Sequence, residues 1–415
     1  MKKNEMPENE RSEAVTVTES VADNASVAGA AAAPTEKEKK EPLFHLIRRA
    51  NVTPMQATRV RAIAIVAGLI LCGILAAIIT KTNPFAFYGA MFKGAFGSVY
   101  NLLVTIHKVA ILLGISLAVT PAFKMRFWNT GAEGQVLIGA LATASCMYWF
   151  GSLPLGLLLV CMLHSALAAG AIWGIIPAVC KAKWGTNETL FTLMMNYVAM
   201  QLISYFMRLW NKKSAGIDFT QLDPTLRINH FFNGSTSTGI RRYIIEVVFI
   251  LALTVGLYVY LRFSKHGYEL SVVGESENTA KYVGINVKKV IIRTMALSGA
   301  ICGVIGFLLA GTTQTVSPGI ADGRGFTAIM VSWLAKFDPA IMVFAALLLV
   351  FLDVGASNIA TDLKVDQSFA EIVSGILLFF IIGCEFFIQY RVLPDDRVKN
   401  PFRKLFGDKK TQEEK

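Results

Sequence analysis

Apolar runs of roughly 18 to 25 residues, long enough to cross a hydrocarbon core about 30 Å thick, recur along most of the chain. With no water in that core the backbone must satisfy its own hydrogen bonds, so such runs form helices. The period-two alternation of a membrane barrel is absent. The pattern predicts an all-α, polytopic membrane protein of about 10 transmembrane helices. Its spans fall near 62–80, 106–123, 135–150, 155–180, 189–210, 243–261, 294–311, 326–336, 339–352 and 368–389.

Two stretches break the pattern. Residues 84–101, "PFAFYGAMFKGAFGSVYN", are apolar and aromatic but interrupted by glycines and Lys93, and suit an outer-leaflet hairpin or half-helix. Residues 326–336 are too short for an upright crossing and end at "KFDP". With 339–352 they suit a tight helical hairpin whose tip carries Lys336 and Asp338.

Polar segments complete the organisation. Residues 1–42 lack hydrophobic periodicity and read as a disordered cytoplasmic extension. No apolar stretch precedes "AAAAP" at 30–34, which argues against a signal peptide. Residues 43–61 form a basic juxtamembrane segment suited to anionic membrane lipid. Residues 62–390 are the transmembrane domain and 391–415 a cytoplasmic tail. Arg48, Arg49, Arg59 and Arg61 precede the first span, which places the amino terminus inside. Alternation then puts Lys124 and Arg126, Lys181 and Lys183, the 262–293 loop and the tail inside. Lys212, Lys213, Arg241 and Arg242 fall in an outside loop and fit the rule less well.

Composition agrees: 54% of residues are hydrophobic and 17% charged, against about a quarter charged in soluble domains. The net charge of +11 lies in short segments beside apolar runs, so it reads as an orientation signal and not as a nucleic-acid surface. The six cysteines sit in or at the ends of apolar segments without CxxC or metal spacing, as small buried residues do.

An internal symmetry is visible. The span at 106–123 leads to "TGAEGQ" and a small-residue helix; the span at 294–311 leads to "ADGRGF" and "TAIMVSWLA". By the alternation the two enter from opposite sides, as inverted repeats of a transporter do. Asn129, Glu133 and Gln135 put donors and acceptors at the first break, and irregular backbone in a membrane must be covered by protein or line a water-filled path. Asn187 and Glu188 head the next polar-started helix, and Asn196 lies about 13 Å further along it. These six residues are candidates for a substrate path. Glu133 is equally suited to capping a helix end, and on that reading Glu133→Gln keeps the acceptor and the activity. His164 suits a hydrogen-bonded packing role better than a proton relay. Phe85, Phe87, Tyr88, Phe92 and Phe96 suit interfacial anchoring better than base stacking.

The 262–293 loop carries "ESENTAKYVGI", with acids and a serine ahead of a short helix. Ala280 and Gly284, spaced i, i+4, would give that helix a small face able to enter a groove on another protein.

"VVGESENTAKYVGI" with "RTMALSGAICGVIGFLLAG" resembles the coupling loop and next span of ABC importer permeases, in the branch holding ribose, galactose, branched-chain amino acid and nucleoside permeases. "FWNTGAEGQVLIGALATA", "GTNETLFTLMMNYVA" and "GRGFTAIMVSWLAKFDP" resemble further blocks of that family in order, over about residues 60–390. Thr130 departs from it, standing where an apolar residue is usual. The resemblance implies an inverted-repeat permease with Gly274, Glu275, Ala280, Tyr282, Gly284 and Ile285 in the ATPase-coupling segment. It implies three partners: a cytoplasmic ATP-binding subunit, an extracytoplasmic substrate-binding protein and a second permease, identical or related. The setting would be a bacterial inner membrane. No GxxxxGK[ST] motif is present, so ATP is used by the partner, and no cofactor or metal is expected. The motifs and the charged extension look most like the larger permease of nucleoside importers; sugar, riboflavin and amino-acid permeases are the alternatives. A stand-alone channel or secondary transporter would want more ionisable residues within the spans than the sequence shows. An intramembrane enzyme would want a catalytic cluster, and none has the spacing.

Overall fold

The structure is a computed structural model; it describes residues 44–48, 53–80, 83–210, 216–222, 227–233, 240–362 and 367–394. The extension over 1–42, Lys212, Lys213 and the tail beyond Pro394 lie outside the described residues.

Local capping chemistry sets where the helices start. Helix α1 (Pro54–Thr80) opens on a proline, whose missing N–H is unneeded in a first turn, and Thr53 Oγ1 accepts the N–H of Gln56 at 3.4 Å. Helix α2 (Pro84–Phe96) repeats the device, with Asn83 accepting from the Phe85 N–H at 2.9 Å. Ser98 then accepts from the Asn101 N–H at 3.1 Å and starts α3 (Val99–Lys124). The irregular stretch at 84–101 is therefore a half-helix of 13 residues, and its last three residues belong to the next span.

Three long helices follow: α4 (Ala132–Phe150), α5 (Leu155–Trp184) and α6 (Glu188–Trp210). The short α7 (Phe219–Leu222) and α8 (Arg227–Asn233) precede α9 (Ile240–Phe263). Helices α10 (Lys265–Glu275) and α11 (Glu277–Tyr282) then lead to α12 (Val287–Thr313). The chain closes with the half-helix α13 (Arg324–Leu334), α14 (Pro339–Asp362) and α15 (Gln367–Gln389). Among the described residues, 7 helices are long and apolar enough to cross a membrane. Helix α14 runs ten residues past the expected end at 352, because its polar residues have partners. Asp353 pairs with Lys108, and Asn358 donates to the Ala90 carbonyl at 3.3 Å.

Helices α12 and α3 are the most enclosed spans, and the elements after each helix break exchange places around them. Helix α4 follows α3 but packs on α12, while α13 follows α12 and packs on α3. The next helices repeat the exchange, α5 on α12 and α14 on α3. Small residues allow the closest of these approaches. A Cβ on Gly139 would stand 2.5 Å from backbone atoms of Gly303, and one on Gly170 would collide with the Gly299 carbonyl.

Outside the helical core, the two-residue strands β2 (Ile217–Asp218) and β3 (Thr315–Val316) pair antiparallel, with Ile217 opposite Val316. A separate unit contains β1 (Phe44–Arg48) and β4 (Tyr390–Pro394), antiparallel with Phe44 opposite Pro394. The basic juxtamembrane stretch thus divides into a strand and, from Pro54, the first turns of α1.

Candidate functional site

The two helix breaks meet. Glu133, in the first turn of α4 and 3% exposed, accepts the Gly323 N–H at 2.9 Å on one carboxylate oxygen and the Gly325 N–H at 3.0 Å on the other. Those amides open α13, whose N-terminal dipole favours an anion. Glycine is needed at 325 because a Cβ there would stand 2.7 Å from the Glu133 nitrogen.

Around this clamp the other polar residues of the break bond to one another. Asn129 Oδ1 accepts the Gly131 N–H at 3.1 Å, and its amide donates to Ser298 Oγ on α12 at 3.2 Å. Gln135 and Asn129 face each other amide to amide at 3.4 Å. Asn196, on α6, accepts the Gly134 N–H at 2.8 Å and donates to the Thr130 carbonyl at 2.9 Å. Thr130 donates to the Thr189 carbonyl at 3.0 Å, so the residue that departs from the family pattern adds a tie to α6. Asn129, Gln135 and Asn196 are all buried. Four of the six path candidates thus form one network joining α4, α6, α12 and α13. The other two stand apart: Asn187 caps α6 by accepting the Leu190 N–H at 3.2 Å, and Glu188 pairs with Lys181 at 2.8 Å.

Lesser candidates resolve in the same way. His164 is exposed and bonded to the Val160 carbonyl of its own helix, not packed. Phe87 is buried and Tyr88 donates to the Leu69 carbonyl, while Phe85 and Phe92 face outward.

The segment between α9 and α12 is built from three side-chain caps. Ser264 accepts the Gly267 N–H at 2.9 Å, Ser276 the Thr279 N–H at 3.2 Å and Asn286 the Lys289 N–H at 3.1 Å. Helix α11 ends in a Schellman turn: Ile285 N–H donates to the Ala280 carbonyl at 2.9 Å and Gly284 N–H to the Lys281 carbonyl at 3.1 Å. Gly284 has φ +82°, the left-handed conformation that this turn requires. The expected small-residue face is therefore divided. Helix α11 stops at Tyr282, so Ala280 and Gly284 do not share a helical face. Ala280 is buried and Gly284 exposed. Outward from the turn stand Tyr282, 94% exposed, and Val283. Gly274 is buried against the Lys124 carbonyl, Glu275 is exposed and Ile285 half-buried. Beneath them His266 is buried between the Tyr260 hydroxyl and Thr294 Oγ1, the latter at 3.4 Å. Burial, and then the Arg293 charge, lower its pKa from the ordinary histidine value.

Sequence reasoning missed the ionisable residues inside spans. Lys108 on α3 pairs with Asp353 on α14 at 3.0 Å, and His107 Nδ1 lies 2.6 Å from the buried Glu246 of α9. Their charge within apolar helices was the available signal, since ionisable residues there are functional candidates by default.

Long apolar helices, two interrupted segments that interlock and a capped helical segment between two spans are the build of a polytopic membrane protein. The chain belongs to the family described as branched-chain amino acid transport system / permease component, which matches residues 98–382. It is similar to the guanosine ABC transporter permease protein NupP of Bacillus subtilis, 30% identical over 77% of this chain and 91% of that one. It is also similar to the glucose ABC transporter permease protein TsgB13 of Haloferax volcanii, 30% identical over 80% of this chain and 88% of that one. The nucleoside ABC transporter permease protein NupB of Lactococcus lactis is 27% identical over 77% of this chain and 89% of its own. The protein is a permease subunit of an ABC transporter.

Proposed function

We propose that this permease imports nucleosides across a bacterial inner membrane, with its amino terminus inside. The observation that carries the substrate is the similarity, over most of both chains, to permeases named for guanosine and for nucleosides. A cytoplasmic ATP-binding subunit supplies the energy and docks on the exposed Tyr282–Gly284 turn. An extracytoplasmic binding protein delivers the substrate, and a second permease, identical or related, completes the path. Positive-inside alternation supports the orientation. The buried network at Asn129, Glu133, Gln135 and Asn196 fixes the helices that shape the path, with Asn187 and Glu188 at the inner end of α6. Sugar import is the second reading, favoured by the glucose permease relative. Uptake of labelled guanosine, uridine, glucose and riboflavin by the reconstituted transporter tests both readings. Saturable, ATP-dependent guanosine uptake is the expected result, and glucose uptake without nucleoside uptake reverses the assignment.

A further inference from the structure

Helices α3 and α14 and the start of α13 line a partly open cavity of about 110 Å³, bordered by Lys108, Asp322, Arg324, Thr327 and Asp353. A single water needs roughly 10–15 Å³ of such space, so the cavity has room for several. Lys108 lies about 14 Å along α3 from Val99, and Asp353 about 21 Å along α14 from Pro339, both well inside their spans. Yet the Asp353 side chain is 57% exposed and that of Asp322 72%. A carboxylate at that position cannot be left in hydrocarbon. Such a face is covered by water or by protein, not by lipid tails.

One wall of the cavity is held in place by the helix-break clamp. Glu133 binds the amides of Gly323 and Gly325, the residues on either side of Arg324. The opposite wall is tied by the Lys108–Asp353 pair. Two cations and two carboxylates leave the site formally neutral. The Lys and Arg N–H groups donate, the Asp oxygens accept, and Leu112 and Val350 supply apolar surface beside them. A molecule with net charge would unbalance this set; an uncharged ring bearing hydroxyl and N–H groups would not.

We propose that this cavity is where the permease holds its substrate during transit, and that it takes neutral, multiply hydrogen-bonding molecules of the nucleoside class. The ligand class rests on the nucleoside reading above; the position of the site does not.

The test uses the full transporter in liposomes and Thr327→Cys, reacted with a charged, membrane-impermeant thiol reagent. Labelling at least tenfold faster than that of the parent chain's own cysteines is expected, slowed at least threefold by saturating guanosine. Labelling no faster than the parent means the face is dry and overturns the site. Fast labelling slowed by glucose and not by guanosine keeps the site and overturns the nucleoside reading. Fast labelling slowed by leucine alone keeps the site and overturns the nucleoside class. Labelling unaffected by a substrate that the same liposomes transport overturns the site. In parallel, Asp353→Asn and Lys108→Met should each raise the uptake KM at least tenfold at parent complex yield; an unchanged KM in both also overturns it.

Discussion

Glu133 holds the backbone of Gly325 from 192 residues away in sequence, at 3.0 Å, so the first helix break caps the helix that follows the second. Both carboxylate oxygens are engaged, since Gly323 donates to the other at 2.9 Å. This revises the expectation for glutamine, whose single carbonyl oxygen would satisfy one amide and set its own N–H₂ against the other. Glu133→Gln should lower the thermal midpoint of the purified complex and reduce uptake. Glu133→Ala should do more, at about 1–3 kcal/mol for each amide left unpaired. Parent-like midpoints for both variants would refute the clamp.

Asn196 is the second brace. Asn196→Leu leaves the Gly134 N–H and the Thr130 carbonyl without their partner, a loss of about 1–3 kcal/mol per group. Asn196→Asp keeps the acceptor but sets a second oxygen against the Thr130 carbonyl in a buried site, so it should lose stability as well. Thermal unfolding in detergent measures both, and a parent-like midpoint in either variant would refute the brace.

On the proposed docking role, the Tyr282–Gly284 turn separates docking from folding. Tyr282→Ala removes an exposed side chain and should abolish transport-linked ATP hydrolysis while leaving permease yield unchanged. Ala280→Leu forces volume into a buried position and should cut yield instead. Gly284→Val strains a left-handed residue, by about 1–2 kcal/mol. ATPase co-purification scored beside yield distinguishes the three, and full coupling in Tyr282→Ala would rule out this docking surface.

His266 gives the segment between α9 and α12 a pH dependence. Its pKa is lowered in the folded state, so the unfolded chain binds the proton more readily. Its contribution is complete above the unfolded value of about 6.5 and is lost as pH falls through the folded value. The groups around it are Tyr260, Glu269, Arg293 and Thr294. Complex stability should decline on acidification below that range, and His266→Gln should flatten the decline. An equal slope in the variant would assign the titration elsewhere.

Much of this architecture is legible in sequence because its causes are local. Asn83 before Pro84, and Ser264, Ser276 and Asn286 before their helices, are capping signals within three residues of what they cap. The glycine-rich breaks are visible too, as is their kinship. What stays hidden is which break meets which helix, since nothing near Glu133 points to Gly323. The inward turn of Ala280 is hidden for another reason: α11 has 6 residues, too few to show a period. The end of α14 was misplaced because Asp353 and Asn358 look like a terminus until Lys108 and Ala90 are beside them.

The exchange of helices around α3 and α12 has a consequence for how the chain is made. Helix α4 enters the membrane well before α12, the neighbour it packs on, has been synthesised. At roughly 5–20 residues per second, the interval is about ten to thirty seconds. Throughout it, Asn129 lacks Ser298 and Glu133 lacks both glycine amides. The nascent first half must therefore sit beside the insertion machinery, or in contact with headgroups, with its polar break unsatisfied. A ribosome stalled after Phe263 should leave a species that membrane quality-control proteases degrade, while one stalled beyond Leu334 should persist.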